Sequence, residues 1–320
     1  MRHNADEVFL EYAHIPVMQN ELVHFIESSA HGGTGILVDC TVGEGGHSEL
    51  FLSRFPDLKI IAMDRDAEIL ETARRRLKPY ADRIDYIIDN FFNISQHLDK
   101  MTAGIHYFLY DFGISSYHFE RSGRGFAFAK DERLDMRLDG KGTSAHQVVN
   151  TFDEKVLSDI IFRYGEESWA KKIASAIARG RRSAPIETTA ALADIVLGAI
   201  PRKFHVRNIH PATRVFQALR IFVNDELTAI DRGLDQSYKF TATGGRIMAI
   251  SFHSLEDRIV KEKFRALSRG CTCGKERQYC QCSGEGLVKI LTKKPLRPQI
   301  DEIKSNTRAR SARLRVCEKA

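Results

Sequence analysis

No stretch of this sequence is apolar for the roughly 18–20 residues that a membrane-spanning helix needs. The opening MRHNADEVFLEYAHIPV is mixed polar and lacks the apolar core of a secretion signal. There is no internal repeat and no low-complexity tract, which sets aside solenoid, fibrous and disordered classes. Six cysteines in 320 residues do not make a disulfide scaffold. A cytoplasmic enzyme or binding protein is expected, and 43% hydrophobic residues suffice for the cores of two domains.

The net charge of +6 is unevenly spread. Residues 163–220 and residues 287–320 each hold a local +7, so the remainder is acidic. Two basic segments on an acidic body suit a polyanionic partner, although either segment alone also fits a solvated helix face.

The first third alternates strand and helix. ILVDC (36–40), KIIAMD (59–64), IDYIIDNFF (84–92) and IHYFLYDFG (105–113) read as strands, with AEILETARRRL (67–77) as an intervening helix. That alternation predicts a parallel, doubly wound sheet. From Tyr117 to Arg207 only loop and amphipathic helix are expected. Val156, Leu157, Ile160, Ile161 and Tyr164 share one helix face, and Trp169, Ile173 and Ile177 another. Apolar spacing then predicts one long helix over Pro211–Leu234, a fifth strand within GGRIMAISFHS (244–254), and a closing antiparallel pair from LVKILT (287–292) and ARLRVCE (312–318).

The strongest local signal is VDCTVGEGGHS (38–48), a strand ending in Asp39 followed by a glycine turn and a helix. Gly43, Gly45 and Gly46 let backbone approach a ligand closely, and the helix behind them offers free N–H groups. Asp64 ends the next strand 19 residues after Gly45, where a carboxylate can hold ribose hydroxyls. Nicotinamide and S-adenosylmethionine enzymes share this arrangement. Asp39 before the loop and a seventh strand favour S-adenosylmethionine. Phe91 and Phe92 point in different directions, so one can stack on adenine while the other joins the core. Asp111, at the end of strand four, projects into the crevice where such folds bind ligands.

Taken together, these motifs resemble those of the bacterial 16S ribosomal RNA cytosine-N4 methyltransferase family, also called RsmH or MraW. The resemblance runs through HIPVM (14–18), VGEGGHS (42–48), DRDAEIL (64–70), DFGISS (111–116), RGFAF (124–128), LDMRLD (134–139), HPATRVFQALRIFVNDEL (210–227), GGRIMAISFHSLEDRIVK (244–261) and NTRARSARLRVCE (306–318). It implies S-adenosylmethionine-dependent methylation of a decoding-centre cytidine in the small ribosomal subunit. It also implies a class I methyltransferase fold, α/β and doubly wound with a seven-stranded sheet. The core would comprise residues 1–116 and 208–320, split by a helical RNA-recognition insertion at 117–207. Cofactor contacts implied by the resemblance are Gly45, Gly46, His47, Asp64, Phe92 and Asp111. His118 stands where the family usually has Gln.

The N4 of cytosine is a poor nucleophile because its lone pair is delocalised into the ring. A catalyst must hold it in line with the methyl group and accept hydrogen bonds from it. Asp111 is the first candidate, with His253 and Asp135 as further acceptors of the released proton. RNA contacts are expected from Lys171, Lys172, Arg181, Arg182 and Arg214, the last placed with Arg220 to hold a phosphate or a buried carboxylate. Cys271, Cys273, Cys280 and Cys282 form a Cys-x-Cys pair of pairs that suits four-sulfur zinc binding. The spacing departs from the usual Cys-x-x-Cys, and a loop of reduced thiols is the favoured reading. Two rival functions are an oxidoreductase built on the same glycine turn and a ribosome-assembly factor that binds RNA without catalysis.

Overall fold

A computed structural model of the chain describes residues 15–99, 104–205, 210–269 and 286–320. The chain divides into two compact units, Met1–Gly113 with Leu227–Ala320, and Ile114–Glu226. Along the first unit run α1 (Gln19–Glu27), β1 (Gly35–Asp39), α2 (Gly46–Arg54), β2 (Leu58–Asp64), α3 (Ala67–Arg76), β3 (Ile84–Ile88), α4 (Ile94–Leu98) and β4 (Ile105–Asp111). The second unit holds α5 (Ser116–Glu120), α6 (Ala145–Thr151), α7 (Glu154–Gly165), α8 (Ala170–Ser183), α9 (Thr189–Ala199) and α10 (Thr213–Asn224). The first unit resumes within α11 (Glu226–Phe240) and continues through β5 (Thr241–Ser251), α12 (Ser254–Ser268), β6 (Val288–Ile290), α13 (Ile300–Ser305) and β7 (Arg313–Lys319).

The seven strands form one sheet in the order β3-β2-β1-β4-β5-β7-β6. Strands β1 to β5 pair in parallel, and β7 runs antiparallel to both β5 and β6. This is the class I S-adenosylmethionine methyltransferase arrangement, including the closing antiparallel pair expected from the sequence. Helices cover both faces, so the central strands are apolar on both sides. In β4, Tyr107 and Leu109 join one buried cluster while Phe108 and Tyr110 join the other. Both buried tyrosines satisfy their hydroxyls: Tyr107 Oη lies 2.7 Å from Ser29 Oγ and accepts from the Gly33 N–H, and Tyr110 Oη bonds Ser237 Oγ.

Strand order reverses between β1 and β4, each of which ends in an aspartate at the carboxyl edge. A crevice opens at such a switch point.

The second unit has its own core, in which Ile160, Ile161, Ile173, Ile177, Phe216 and Leu219 are buried. Helices α7 and α10 approach so closely that a Cβ on Gly165 would lie 2.6 Å from the Arg214 carbonyl oxygen. Two expectations are corrected here. Val156 is 41% exposed rather than on the buried face. The single helix expected over Pro211–Leu234 is two helices, because Asp225 adopts a left-handed conformation (φ 48°) between α10 and α11. Apolar spacing runs unbroken through the joint and hides it. The helical unit accordingly extends through α10, past the 117–207 span read from the sequence.

Asn224, at the end of α10, ties this joint to a distant loop. Its Oδ1 accepts from the Leu138 N–H at 2.9 Å, and its Nδ2 donates to the Met136 and Arg220 carbonyls at 2.7 and 2.9 Å. Met136 itself has a left-handed backbone (φ 62°), which a side chain tolerates only when its surroundings enforce it. Asn224→Ala should leave buried backbone groups of residues 136 and 138 unpaired and destabilise the protein by about 3 kcal/mol. An unchanged thermal or denaturant unfolding midpoint would show that the clamp does not hold this loop.

Candidate active site

Three parallel strands deliver carboxylates to one edge of the sheet: Asp39 ends β1, Asp64 ends β2 and Asp111 ends β4. Glu256, in the first turn of α12, adds a fourth. Asp39 is buried, with Ser48 Oγ donating to its Oδ2 at 2.7 Å and the Thr41 N–H to its Oδ1 at 3.3 Å. Burial outweighs these bonds and, with the charge of Asp64 nearby, pushes its pKa up to about 6. Asp111 is raised well above the carboxylate range, first by burial and then by the charges of Asp39 and Glu256. Its backbone N–H is fixed by Thr41 Oγ1 at 2.7 Å. Its Oδ1 is buried and has no hydrogen-bond partner among the described residues.

The glycine turn lies beside these acids. Gly43 and Gly45 have left-handed backbones (φ 53° and 85°), and the Gly43 N–H donates to Asp64 Oδ2 at 3.1 Å. Asp64 Oδ1 accepts the Asp66 N–H at 3.0 Å, so this carboxylate braces the loop as well as facing the crevice. A Cβ on Gly46 would lie 2.6 Å from Pro16 Cγ, and one on Gly45 3.0 Å from Leu77 Cδ1. Packing within the protein thus demands glycine at 45 and 46, independently of any ligand. His47 is buried, with Nε2 2.9 Å from the Val17 carbonyl oxygen and Nδ1 3.6 Å from Asp111 Oδ2.

The two phenylalanines diverge as expected. Phe91 packs edge-on against Tyr110, with ring centroids 5.3 Å apart. Phe92 is half-buried, and the Arg232 guanidinium lies 5.7 Å from its ring centre. Gln236 fixes this loop by donating to the Phe92 carbonyl at 2.6 Å and accepting from the Ser95 N–H at 2.9 Å. Thr41, Arg232 and Gln236 went unrecognised in the sequence. The one available signal was the i,i+4 spacing that puts Arg232 and Gln236 on the same side of α11.

His253 is the N-cap of α12, and its Nδ1 accepts the Glu256 N–H at 3.3 Å. Its Nε2 lies 3.1 Å from Glu256 Oε1, while Glu256 Oε2 accepts the Phe252 and His253 N–H groups. The imidazole is therefore engaged through Nδ1 in a capping box, whereas its buried Nε2, although close to Glu256 Oε1, makes no hydrogen bond among the described residues. Asp135 lies in the helical unit and is held by Arg137, Nε to Oδ1 at 2.6 Å and Nη2 to Oδ2 at 2.8 Å. Its partial burial would raise the pKa, but the bonds from Arg137 dominate and hold it below the usual range. That geometry fits an anchor better than a proton acceptor. His118, also in the helical unit, is buried in the capping box of α5, its Nδ1 accepting the Ser115 N–H.

Arg220 grips Glu226 with two bonds of 2.9 Å, which fulfils the carboxylate alternative. Arg214 lies half-exposed, 3.7 Å from Glu167. Arg181 donates to the Val149 carbonyl, whereas Lys171, Lys172 and Arg182 are exposed. Cys271, Cys273, Cys280 and Cys282 lie outside the described residues.

The donor set fits S-adenosylmethionine. A crevice walled by four carboxylates attracts a sulfonium with its ammonium group and repels the pyrophosphate of a dinucleotide. Asp64 would hold the ribose hydroxyls, Phe92 would stack on the adenine, and the unpartnered Oδ1 of Asp111 remains for a hydrogen-bond donor. The pH dependence follows from Asp39. Folded protein keeps its proton up to about pH 6, whereas an unfolded chain loses it above roughly pH 4. This group therefore stabilises the fold fully at acid pH and loses that effect as the pH rises through 6. A bound cation favours the carboxylate, so binding below pH 6 must expel the proton. Affinity for S-adenosylmethionine should fall as pH drops below 6, by up to about tenfold per unit, with proton release visible by calorimetry in buffers of different ionisation heat. Asp39→Asn should flatten that dependence, and a flat parental profile would count against the assignment.

Residues 11–320 match the model of the MraW methylase family. The chain is similar to the ribosomal RNA small subunit methyltransferase H of Geotalea uraniireducens, 46% identical over 97% of this chain and 99% of that one. It is likewise similar to the protein of the same name from Treponema denticola, at 43% over 97% and 98%. An rRNA methylase structure from Streptococcus thermophilus aligns with 96% of this chain and 99% of that one at 11% identity and a TM-score of 0.44, a likeness too faint to bear weight. With the family model spanning nearly all of its length and relatives this similar, the chain belongs to the MraW methylase family.

Proposed function

We propose that the protein methylates the exocyclic N4 of a decoding-centre cytidine in the 16S RNA of the small ribosomal subunit. The observation that supports this most directly is the unpartnered Oδ1 of Asp111 in an acidic crevice. S-adenosylmethionine, when bound there, supplies the methyl group. Asp111 accepts a hydrogen bond from the N4 amino group and draws its lone pair out of conjugation. As the N–C bond forms and the C–S bond breaks, the nitrogen becomes cationic and loses a proton. A carboxylate whose proton affinity is raised by burial and by Asp39 and Glu256 is suited to take it. Asp135 has both carboxylate oxygens held by Arg137, and His253 Nδ1 already accepts the Glu256 N–H, which favours Asp111 at the end of β4 as the base. The small-subunit RNA methyltransferases among the relatives support an RNA substrate.

The helical unit supplies a surface suited to that substrate. Lys172 Nζ lies 4.6 Å from the ring centre of Trp169, and Lys203 Nζ 5.0 Å from that of Phe204. Phe204 is 49% exposed and its ring packs at 4.9 Å against Trp169. An exposed phenylalanine ring, backed by a partly buried tryptophan and flanked by cations, suits the base stacking and phosphate contact of single-stranded RNA.

Incubating the protein with methyl-labelled S-adenosylmethionine and small subunits that lack the modification should place the label on a cytidine N4. Label on another base or atom would overturn the reading. At saturating cofactor, Asp111→Asn should slow single-turnover methylation by about two orders of magnitude. A near-parental rate would remove Asp111 from the chemistry. Reversing Lys171, Lys172 and Arg182 to Glu should weaken subunit binding and reduce the slope of log affinity against log salt by about two to three, with cofactor affinity unchanged. A parental slope would exclude this surface as the RNA platform.

A further inference from the structure

The first unit has a second concave site, away from the carboxylate edge. The later turns of α12 and the strands β6 and β7 enclose a groove of about 410 Å³. Four of its lining residues are basic, Lys261, Arg265, Lys293 and Arg315, and none is acidic. Phe264 and Val288, both buried, give it an apolar floor. Arg315 is only 7% exposed and is locked by Asp257, Nε to Oδ1 at 2.6 Å and Nη2 to Oδ2 at 3.2 Å. Arg313 reaches the same carboxylate at 3.3 Å, so two guanidinium groups share one negative charge.

This is not the usual balance of charge along α12. Lys263, on the same helix, is neutralised by Asp231 and Asp235 at 2.8 Å each. Among the described residues, no carboxylate pairs with Lys261, Arg265 or Lys293. The groove also gathers part of the basic 287–320 segment, whose charge the active site does not use. A rigid buried arginine, flexible cations at the rim and an apolar floor are complementary to a phosphate chain with a base or sugar between its charges.

We propose that this groove is a second RNA-binding site, one that takes the single-stranded backbone adjoining the target cytidine. The proposal rests on the RNA substrate argued above and adds a place where that RNA is held. Helix α12 links the two sites. Its first turn carries Glu256 at the crevice and Asp257 on Arg315, and its later turns form the groove wall. From Glu256 to Arg265 the helix rises about 14 Å. At roughly 3.4 Å per stacked nucleotide, that is the reach of about four nucleotides. A strand with its target base in the crevice can therefore lay neighbouring phosphates in the groove.

The test uses the whole chain with Lys261, Arg265 and Lys293 all changed to Glu, titrated against unmodified small subunits over a range of salt. Subunit affinity should fall at least about tenfold near 0.1 M salt, and the salt slope should flatten by about two. S-adenosylmethionine affinity should match the parental protein. If the Glu variant loses cofactor binding, the milder Lys261→Gln, Arg265→Gln, Lys293→Gln variant decides, with a smaller loss of slope in the same direction. A parental slope in that deciding variant overturns the proposal. So does calorimetry in which adenosine monophosphate fills the groove while RNA affinity is indifferent to the substitutions. Labelling separates the two ideas. A parental protein that labels no subunit RNA refutes the methyltransferase reading, whereas one that labels normally beside a variant of parental affinity refutes the groove alone.

Discussion

Mutual repulsion among carboxylates at the carboxyl edge of the sheet is the constraint that the rest of this structure serves. Asp39, Asp64 and Asp111 end three strands, two of them adjacent to β1, and Glu256 faces them from α12. Keeping Asp39 protonated up to about pH 6 corresponds to about 3 kcal/mol of unfavourable free energy in its ionised form. A fold under no functional demand would shed such a group. A cationic ligand turns the same repulsion into attraction, so the binding site is prepared in the ligand-free protein.

The acids stay in place because fixed donors hold them. Ser48 and the Thr41 N–H hold Asp39, the Gly43 and Asp66 N–H groups hold Asp64, and the Phe252 and His253 N–H groups hold Glu256. Asp111 is the exception. Its backbone is pinned by Thr41, and its Oδ1 has no hydrogen-bond partner among the described residues. One carboxylate in the set thus keeps an open lone pair, and that asymmetry sets Asp111 apart from the other three.

The sheet was legible in the sequence because its central strands are buried on both faces and read as short apolar runs ended by Asp or Gly. The glycine turn was legible for the same local reason. What escaped notice depends on distant partners. The break at Asp225 is enforced by Asn224 gripping Met136 and Leu138, far away in the chain, while apolar spacing continues through it. Thr41 and Gln236 act through single bonds to strand ends and loops, and threonine and glutamine of this kind are indistinguishable in sequence from surface residues. His253 and Asp135 look chemically able in isolation. Only the geometry reveals that the Glu256 N–H takes Nδ1 of the one and Arg137 both oxygens of the other.

Strand order also dictates a schedule of assembly. Strand β5 lies beside β4 in space, yet the entire helical unit separates them in the chain, and β7 must enter between β5 and β6 after both have been made. During synthesis, β1 to β4 can pair as they emerge, but β5 gains its second neighbour only when residues 313–319 appear. Until then one edge of a half-built sheet presents unpaired backbone to its surroundings. The helical unit, made between β4 and β5, lengthens the wait before β5 can join, and it has a buried core of its own to form in that time.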